Sequence, residues 1–401
     1  MTTVHREALD LTDPAFWRRP PAQRLEAFRL LRGLDRPAVC GDGTYALLRH
    51  RDVVAASRTP EVFVSGPGVT TPKPAGWVRF VFGDSMVNLD DPRHARLRGI
   101  VSRAFTPRVL ARISEDVRRT ASGIADDVAT ARSGDFVAAA AARMPFEVIC
   151  RMMGIPAPYR RELLAQIERA GAGTEVRRRL RVPGRSLRAL ARMHRVVGRV
   201  ARQRRREPAD DLISALVTAE VDGSGLTRRE LGSFFSLLLV AGVETTRNAI
   251  AHGLHLLTVN PEQRELLAGD FDRYATGFVD EVVRHSSPII QFRRTVASDH
   301  ELHGYPLRAG DEVMLCYAAA NRDETVFADP DAFDITRRPN PHVGFGGGGP
   351  HFCLGTALAR QEMTVLFREL LTRLPGLRSA GEPELVASSF DNRVGRLRFR
   401  C

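Results

Sequence analysis

Lysine is nearly absent: of the 59 basic residues in this 401-residue chain, Lys73 is the only lysine and the rest are arginine. So lopsided a ratio reflects codon usage in a GC-rich genome better than a nucleic-acid surface, and no zinc-finger spacing or RNA-binding aromatic motif accompanies the charge. The formal net charge of +12 therefore speaks mainly for attraction of an acidic protein partner. Long apolar runs are missing as well. Phe234 to Val243 is interrupted by Ser236 and falls short of the roughly 20 residues that cross a bilayer, and MTTVHREALD holds no signal-peptide core. The expectation is a soluble, cytoplasmic protein that engages neither membrane nor nucleic acid. Cys40, Cys150, Cys316, Cys353 and Cys401 are odd in number, widely spaced and without a CxxC, which argues against a disulfide framework or a zinc site. With 43% apolar and 26% charged residues, disorder is not the default reading.

The pattern that is present is mostly helical. From Pro92 to about Leu266 helix signals run on, broken at Gly134, Gly154-Ile-Pro156, Gly171, Pro183-Gly184, Pro208 and Asp222 to Gly225. Tyr45 to Leu48, Ile289 to Val296, Glu301 to Leu307 and Glu312 to Ala318 read as short strands. Val64 to Pro92 is a turn-rich loop, and a long helix begins near Leu354, with Leu354, Leu358, Leu366, Leu370 and Leu374 on one face. No internal repeat or long linker divides the chain. The expectation is one mainly α domain over residues 1–401, with a minor β-rich lobe at about 38–65, 289–318 and 385–400.

The densest chemical signal is Phe345-Gly-Gly-Gly-Gly-Pro-His-Phe-Cys353-Leu-Gly355. Four glycines let a backbone approach a flat object closely, and Cys353 comes directly before a helix whose N-terminal dipole stabilises an anion. A thiolate there is a metal ligand, whereas Cys40, Cys150 and Cys316 read as small buried hydrophobes. The same run contains a formal GxGxxG from Gly344 to Gly349. That fingerprint needs a strand before it and a helix opening within it, and Arg338-Pro-Asn-Pro-His342 supplies neither, so no bound NAD or flavin is expected.

The segment resembles the haem-thiolate loop of the cytochrome P450 family, in which the cysteine is the axial iron ligand and pushes electron density toward O–O cleavage. Phe345 stands one residue further from the cysteine than in the family's usual loop, which resembles the actinobacterial branch that hydroxylates cholesterol and methyl-branched lipids. Other segments agree. Leu237-Leu-Leu-Val-Ala-Gly-Val-Glu244-Thr245-Thr246 starts as an all-round apolar helix and then places an acid and hydroxyls in its middle. Glu281 and Arg284 form an i,i+3 pair ahead of Pro288 and upstream of Arg337, and His94 and Arg98 share a helix face at i,i+4.

The resemblance covers about Asp13 to Phe399. It implies a triangular, mainly α prism around haem b, with Cys353 on the iron and Glu244 and Thr245 delivering protons. His94, Arg98, Arg294 and His351 would hold the propionates. Ala241, Phe345 and Gly355 would lie against the macrocycle, and Glu281, Arg284 and Arg337 would form a structural lock. The implied activity is insertion of one oxygen atom from O2 into an apolar substrate (terpenoid, polyketide, steroid or branched lipid), by hydroxylation or epoxidation. Electrons would come from a ferredoxin and its NAD(P)H-dependent reductase, and the expected state is a monomer. Oxidative coupling or rearrangement without oxygen insertion is the enzymatic alternative, and a haem-binding sensor the non-enzymatic one. Val87, Leu238, Ala241, Ile289, Ile290, Asn392 and Arg393 are the candidate pocket wall. Arg177, Arg178, Arg179, Arg181, Arg185 and Arg188 form a cationic cluster that could steer a substrate with an anionic end.

Overall fold

The computed structural model describes residues 9–34, 36–70, 85–104, 107–171, 183–221 and 223–401. Helices dominate, and they start and stop where the local chemistry directs. They are α1 (Pro21–Arg32), α2 (His50–Arg58), α3 (Arg93–Ala104), α4 (Pro107–Ala131), α5 (Arg143–Met152), α6 (Ala157–Gly171) and α7 (Pro183–Arg206). After them come α8 (Leu212–Thr218), α9 (Arg228–Val259), α10 (Pro261–Gly269), α11 (Phe271–Ser286), α12 (Tyr317–Ala320) and α13 (Thr356–Arg373). Proline, which lacks the amide proton that a first-turn residue does not use, opens α1, α4, α7 and α10. The 32-residue α9 begins with a reciprocal capping box in which Thr227 and Glu230 satisfy each other's backbone amides. Asp211 and Asp270 cap α8 and α11 in the same spirit, each accepting from the amide three residues on.

The strands are short. They are β1 (Ala38–Val39), β2 (Tyr45–Leu47), β3 (Phe63–Val64), β4 (Ser133–Asp135), β5 (Glu220–Val221), β6 (Ser224–Gly225) and β7 (Gln291–Val296). Then follow β8 (His300–Leu302), β9 (Tyr305–Leu307), β10 (Glu312–Cys316), β11 (Arg378–Ser379), β12 (Glu384–Leu385), β13 (Val394–Arg396) and β14 (Arg398–Arg400). The main sheet has the order β1-β2-β10-β7-β3, with β10 parallel to β2 and the other pairs antiparallel.

Three expectations change. The segment Glu301 to Leu307 is a hairpin and not one strand, because His303 and Gly304 both take positive φ between β8 and β9. The strand beginning at Glu312 stops at Cys316, and Tyr317–Ala320 turns helical. The break at Gly134 is itself a strand: β4 pairs with β14, so residues 133–135 and 398–400 close a small sheet with β11. A five-residue π-helical stretch, Val137–Ala141, then leads into α5.

The largest apolar cluster joins α4, α5, α9, α11 and α13, with Phe235, Leu239, Ile250, Leu254, Phe278, Leu366 and Phe367 wholly or almost wholly buried. This is the mass against which the site elements are held. A second cluster gathers Phe16, Trp17 and Phe28 from the N-terminal region with Met314 and Cys316 of the sheet. No helix among the described residues is long and apolar enough to cross a membrane.

Candidate active site

The glycine run crosses the C-terminal end of α2 at a separation that excludes side chains. A Cβ on Gly349 would lie 2.1 Å from the Ser57 carbonyl oxygen, and one on Gly347 would lie 3.0 Å from that of Val53. Gly346, Gly348 and Gly349 also take positive φ, which glycine alone adopts without strain. The loop then closes on itself: the Cys353 amide donates to the Phe345 carbonyl at 2.9 Å, and Thr356 Oγ1 donates to the Cys353 carbonyl at 2.8 Å. Cys353 is thus left exposed at the start of α13, beside Phe352, which is itself 39% exposed. Gly355, which is also exposed, precedes α13 directly. The Phe345 ring is half-buried between His342, at 5.6 Å between centroids, and the Arg360 guanidinium, 5.1 Å above it.

Within α9, which is otherwise sunk in the core, Ala241 is exposed and Thr245 half-buried one turn further on. Thr245 Oγ1 donates to the Ala241 carbonyl at 2.6 Å, a back-bond that competes with the helix's own ladder. Glu244 is buried and paired with Arg247 at 2.9 Å and with Arg393 at 3.6 Å. Arg393 is itself held at 2.9 Å by Asp391.

Four nitrogen-bearing side chains gather beside the thiol loop. His94 and His351 stack with ring centroids 4.2 Å apart, and His351 Nε2 lies 3.2 Å from Ser65 Oγ. Arg98 donates to the Phe352 carbonyl at 2.7 Å and the buried Arg294 to that of Arg293 at 2.7 Å, and neither pairs with a carboxylate among the described residues. Burial first, and then Arg294, His94 and Arg98, push the His351 imidazole down to about 3. Strand alternation separates Arg294 from its neighbour: Arg293 lies on the other face of β7, bonded to Thr44 and paired with Glu312 and Asp42.

Glu281 and Arg284, both fully buried on α11, form a bidentate pair at 2.7 Å for each bond. Arg284 also donates to the carbonyls of Asn321, Pro330 and Ala332. Arg337 reaches Glu281 at 3.4 Å, and Asn340 and the Asp334 amide each complete its acceptors at 3.0 Å. The three expected members of the lock therefore meet, tying α11 to the segment that leads into the glycine loop.

The family model for cytochrome P450 matches residues 185–375. The methyl-branched lipid omega-hydroxylase of Mycobacterium tuberculosis is 45% identical over 361 residues, covering 88% of this chain and 82% of that protein. The chain belongs to the cytochrome P450 family. It is also 36% identical to the steroid C26-monooxygenase of Mycolicibacterium smegmatis over 88% of this chain and 83% of that one. A solved cytochrome P450 of Mycobacterium marinum, in complex with pseudoionone, superposes with a TM-score of 0.90 at 38% identity over 98% of both chains. The protein is accordingly a P450 monooxygenase with the P450 fold.

Haem iron is the family's cofactor, and the residues present fit it. Among the described residues no group of three or more His, Cys, Asp or Glu side chains could hold a bare metal ion. A lone exposed thiol at a helix start instead suits an iron that arrives with four ligands of its own. His94, which meets Asp91 at 3.6 Å, with Arg98, Arg294 and His351, suits a macrocycle that carries two carboxylates.

The residues of the expected pocket wall of this P450 fall into different environments. Ala241 is exposed, and Val87, Leu238 and Ile289 are half-buried. Ile290 points the other way, into the N-terminal cluster with Met314, Cys316 and Ala318, because side chains alternate along an extended segment. Asn392 is a backbone clamp, donating to the carbonyls of Ser286 and Ser287, and Arg393 belongs to the Glu244 ion-pair network. Sequence reasoning assigned Arg393 to the wall without its acid partner, which lies 149 residues earlier in the chain and gives no local signal. Residues 71–84 of the expected wall loop, with Arg177, Arg178, Arg179 and Arg181, lie outside the described residues, as do the side chains of Arg185 and Arg188.

Proposed function

We propose that this P450 hydroxylates a methyl-branched lipid or a steroid-like substrate, using haem b ligated by Cys353 and electrons from a ferredoxin with its NAD(P)H-dependent reductase. The observation that carries the reading is the pairing of an exposed thiol at the start of α13 with the Ala241, Glu244 and Thr245 constellation on α9. The 45% identity to the lipid omega-hydroxylase supports the substrate class. When bound, haem supplies activation of O2, so that one oxygen atom enters a C–H bond and the other leaves as water with two electrons and two protons. Thr245 Oγ1 gives its own proton to the Ala241 carbonyl, which leaves its lone pairs free to hold a water or accept a proton on the open side of the helix. Glu244, tethered by Arg247 and Arg393, is the group that exchanges protons with that hydroxyl. Arg98 and Arg294 would neutralise the two propionates, with His94 and His351 as hydrogen-bond donors beside them, and the Glu281 lock keeps the approach to the glycine loop rigid. The chain acts as a monomer.

The test is turnover of the haem-loaded protein with a surrogate ferredoxin, its reductase and NADPH on a methyl-branched fatty acid, a sterol and a terpenoid acid. The expected product is a monohydroxylated chain carrying oxygen from O2. A coupled or rearranged product without added oxygen, or no response to any of the three, would contradict the proposal.

A further inference from the structure

Several exposed arginines elsewhere on this surface have acidic partners. Arg29 pairs with Glu26, Arg119 with Glu115, Arg308 with Asp299 and Arg368 with Asp272. In helix α7 only Arg204, paired with Asp211, has an acidic partner among the described residues. The 24 residues of α7 hold nine arginines and no acid, against a net charge of +12 for the entire chain. Arg192, Arg195, Arg199, Arg202 and Arg206 recur at steps of three and four, which keeps them within one narrow arc of the helix. All five are exposed, and none pairs with a carboxylate among the described residues. The opposite face is fixed: Val196, Val197, Val200 and Ala201 are buried in the main core. At a rise of 1.5 Å per residue the stripe runs about 21 Å.

We propose that the arginine face of α7 is a docking surface for an anionic lipid bilayer. A straight, one-sided row of unpaired cations matches a plane of negative headgroups, and guanidinium forks suit phosphate oxygens. Because the apolar face of α7 is buried in the core, the contact is electrostatic and stays at headgroup level. Helix α7 packs on α6, α8 and α9, so the stripe lies on a layer directly covering the helix that carries Glu244 and Thr245. Docking there would hold the protein beside the bilayer in which a branched lipid or sterol dissolves. The choice of lipid over other polyanions rests on the function proposed above.

The test is co-sedimentation of the haem-loaded protein with phosphatidylcholine vesicles, with and without phosphatidylglycerol, across a salt series. The expected result is association with the anionic vesicles alone, weakening steeply with salt. Replacing Arg192, Arg195, Arg199 and Arg202 together with Gln should weaken it by about 100-fold or more. Replacing Arg29, Arg119, Arg308 and Arg368 with Gln removes the same charge elsewhere and should leave most of it. Equal loss in both variants, equal binding to neutral vesicles, or capture by duplex DNA with none by vesicles would overturn the proposal. Spectral response to a branched fatty acid, recorded without vesicles, separates the two readings. Intact response with no vesicle binding overturns the docking surface alone, and vesicle binding without any lipid response counts against the proposed substrate class alone.

Discussion

Two glutamates of this P450 each meet two arginines, and the difference between them suits one to a scaffold and the other to the proton exchange proposed above. Glu281 is fully buried, both its oxygens are bonded by Arg284 at 2.7 Å, and Asn340 and a backbone amide take the remaining positions. Every acceptor is used, so the cost of desolvating the pair is offset and the geometry is fixed. Glu244 is held by one direct bond from Arg247 at 2.9 Å and a looser approach from Arg393 at 3.6 Å, and Arg393 divides itself with Asp391. A carboxylate held in that way can exchange partners without unfolding its surroundings. Glu362 on α13 is the limiting case: it is buried, and its Oε1 has no hydrogen-bond partner. Burial alone raises its carboxyl from 4.5 to about 8.

The contrast is open to attack at each of these residues. Glu281→Ala should have the largest effect, because an uncompensated buried guanidinium typically costs about 3–5 kcal/mol of a total of about 5–15. Haem content and the circular-dichroism melt should both collapse, and normal values would show that the pair does not hold the scaffold together. Thr245→Ala should keep its fold yet lose about 10²–10⁴-fold in product formed while still consuming NADPH and O2, and Glu244→Gln should slow turnover similarly. If Glu244→Gln melts as early as Glu281→Ala, the distinction between the two glutamates fails. Arg393→Gln should act more mildly, altering the pH profile of turnover while Arg247 keeps hold of Glu244; an unchanged profile would remove Arg393 from the network. At about pH 5 the smallest effect belongs to Glu362. Its folded pKa lies above the unfolded one, so its contribution is full below pH 4.5 and is lost as pH rises through about 8. Glu362→Gln should therefore melt later than the parent protein near pH 8, with the two curves converging at about pH 5. Parallel curves at every pH would show that the carboxyl is not held protonated.

Much of the site is legible in the sequence because its chemistry is local. Cys353 lies four residues after the last glycine of its run, Thr245 bonds four residues back, and Glu281 and Arg284 share a helix face. Helix breaks at Gly154, Pro183 and Pro208 likewise announce themselves through backbone restrictions. Facing and long-range pairing are what the sequence hides. Ile289 and Ile290 have the same chemistry and opposite destinations, which only the packing of the sheet decides. The pairing of β4 with β14 joins residues 133–135 to 398–400, and three residues at each end carry no pattern that names the other. Arg393 looks like a wall residue until Glu244 is beside it.

The central claim is that Cys353 holds the haem iron as a thiolate, and the absorption spectrum of the reduced carbon monoxide complex tests it most directly. The native protein should show the long-wavelength band of thiolate-ligated haem, and Cys353→His should bind haem with an ordinary imidazole-type spectrum. Persistence of the long-wavelength band in Cys353→His would contradict the assignment and, with it, the active site built around this loop.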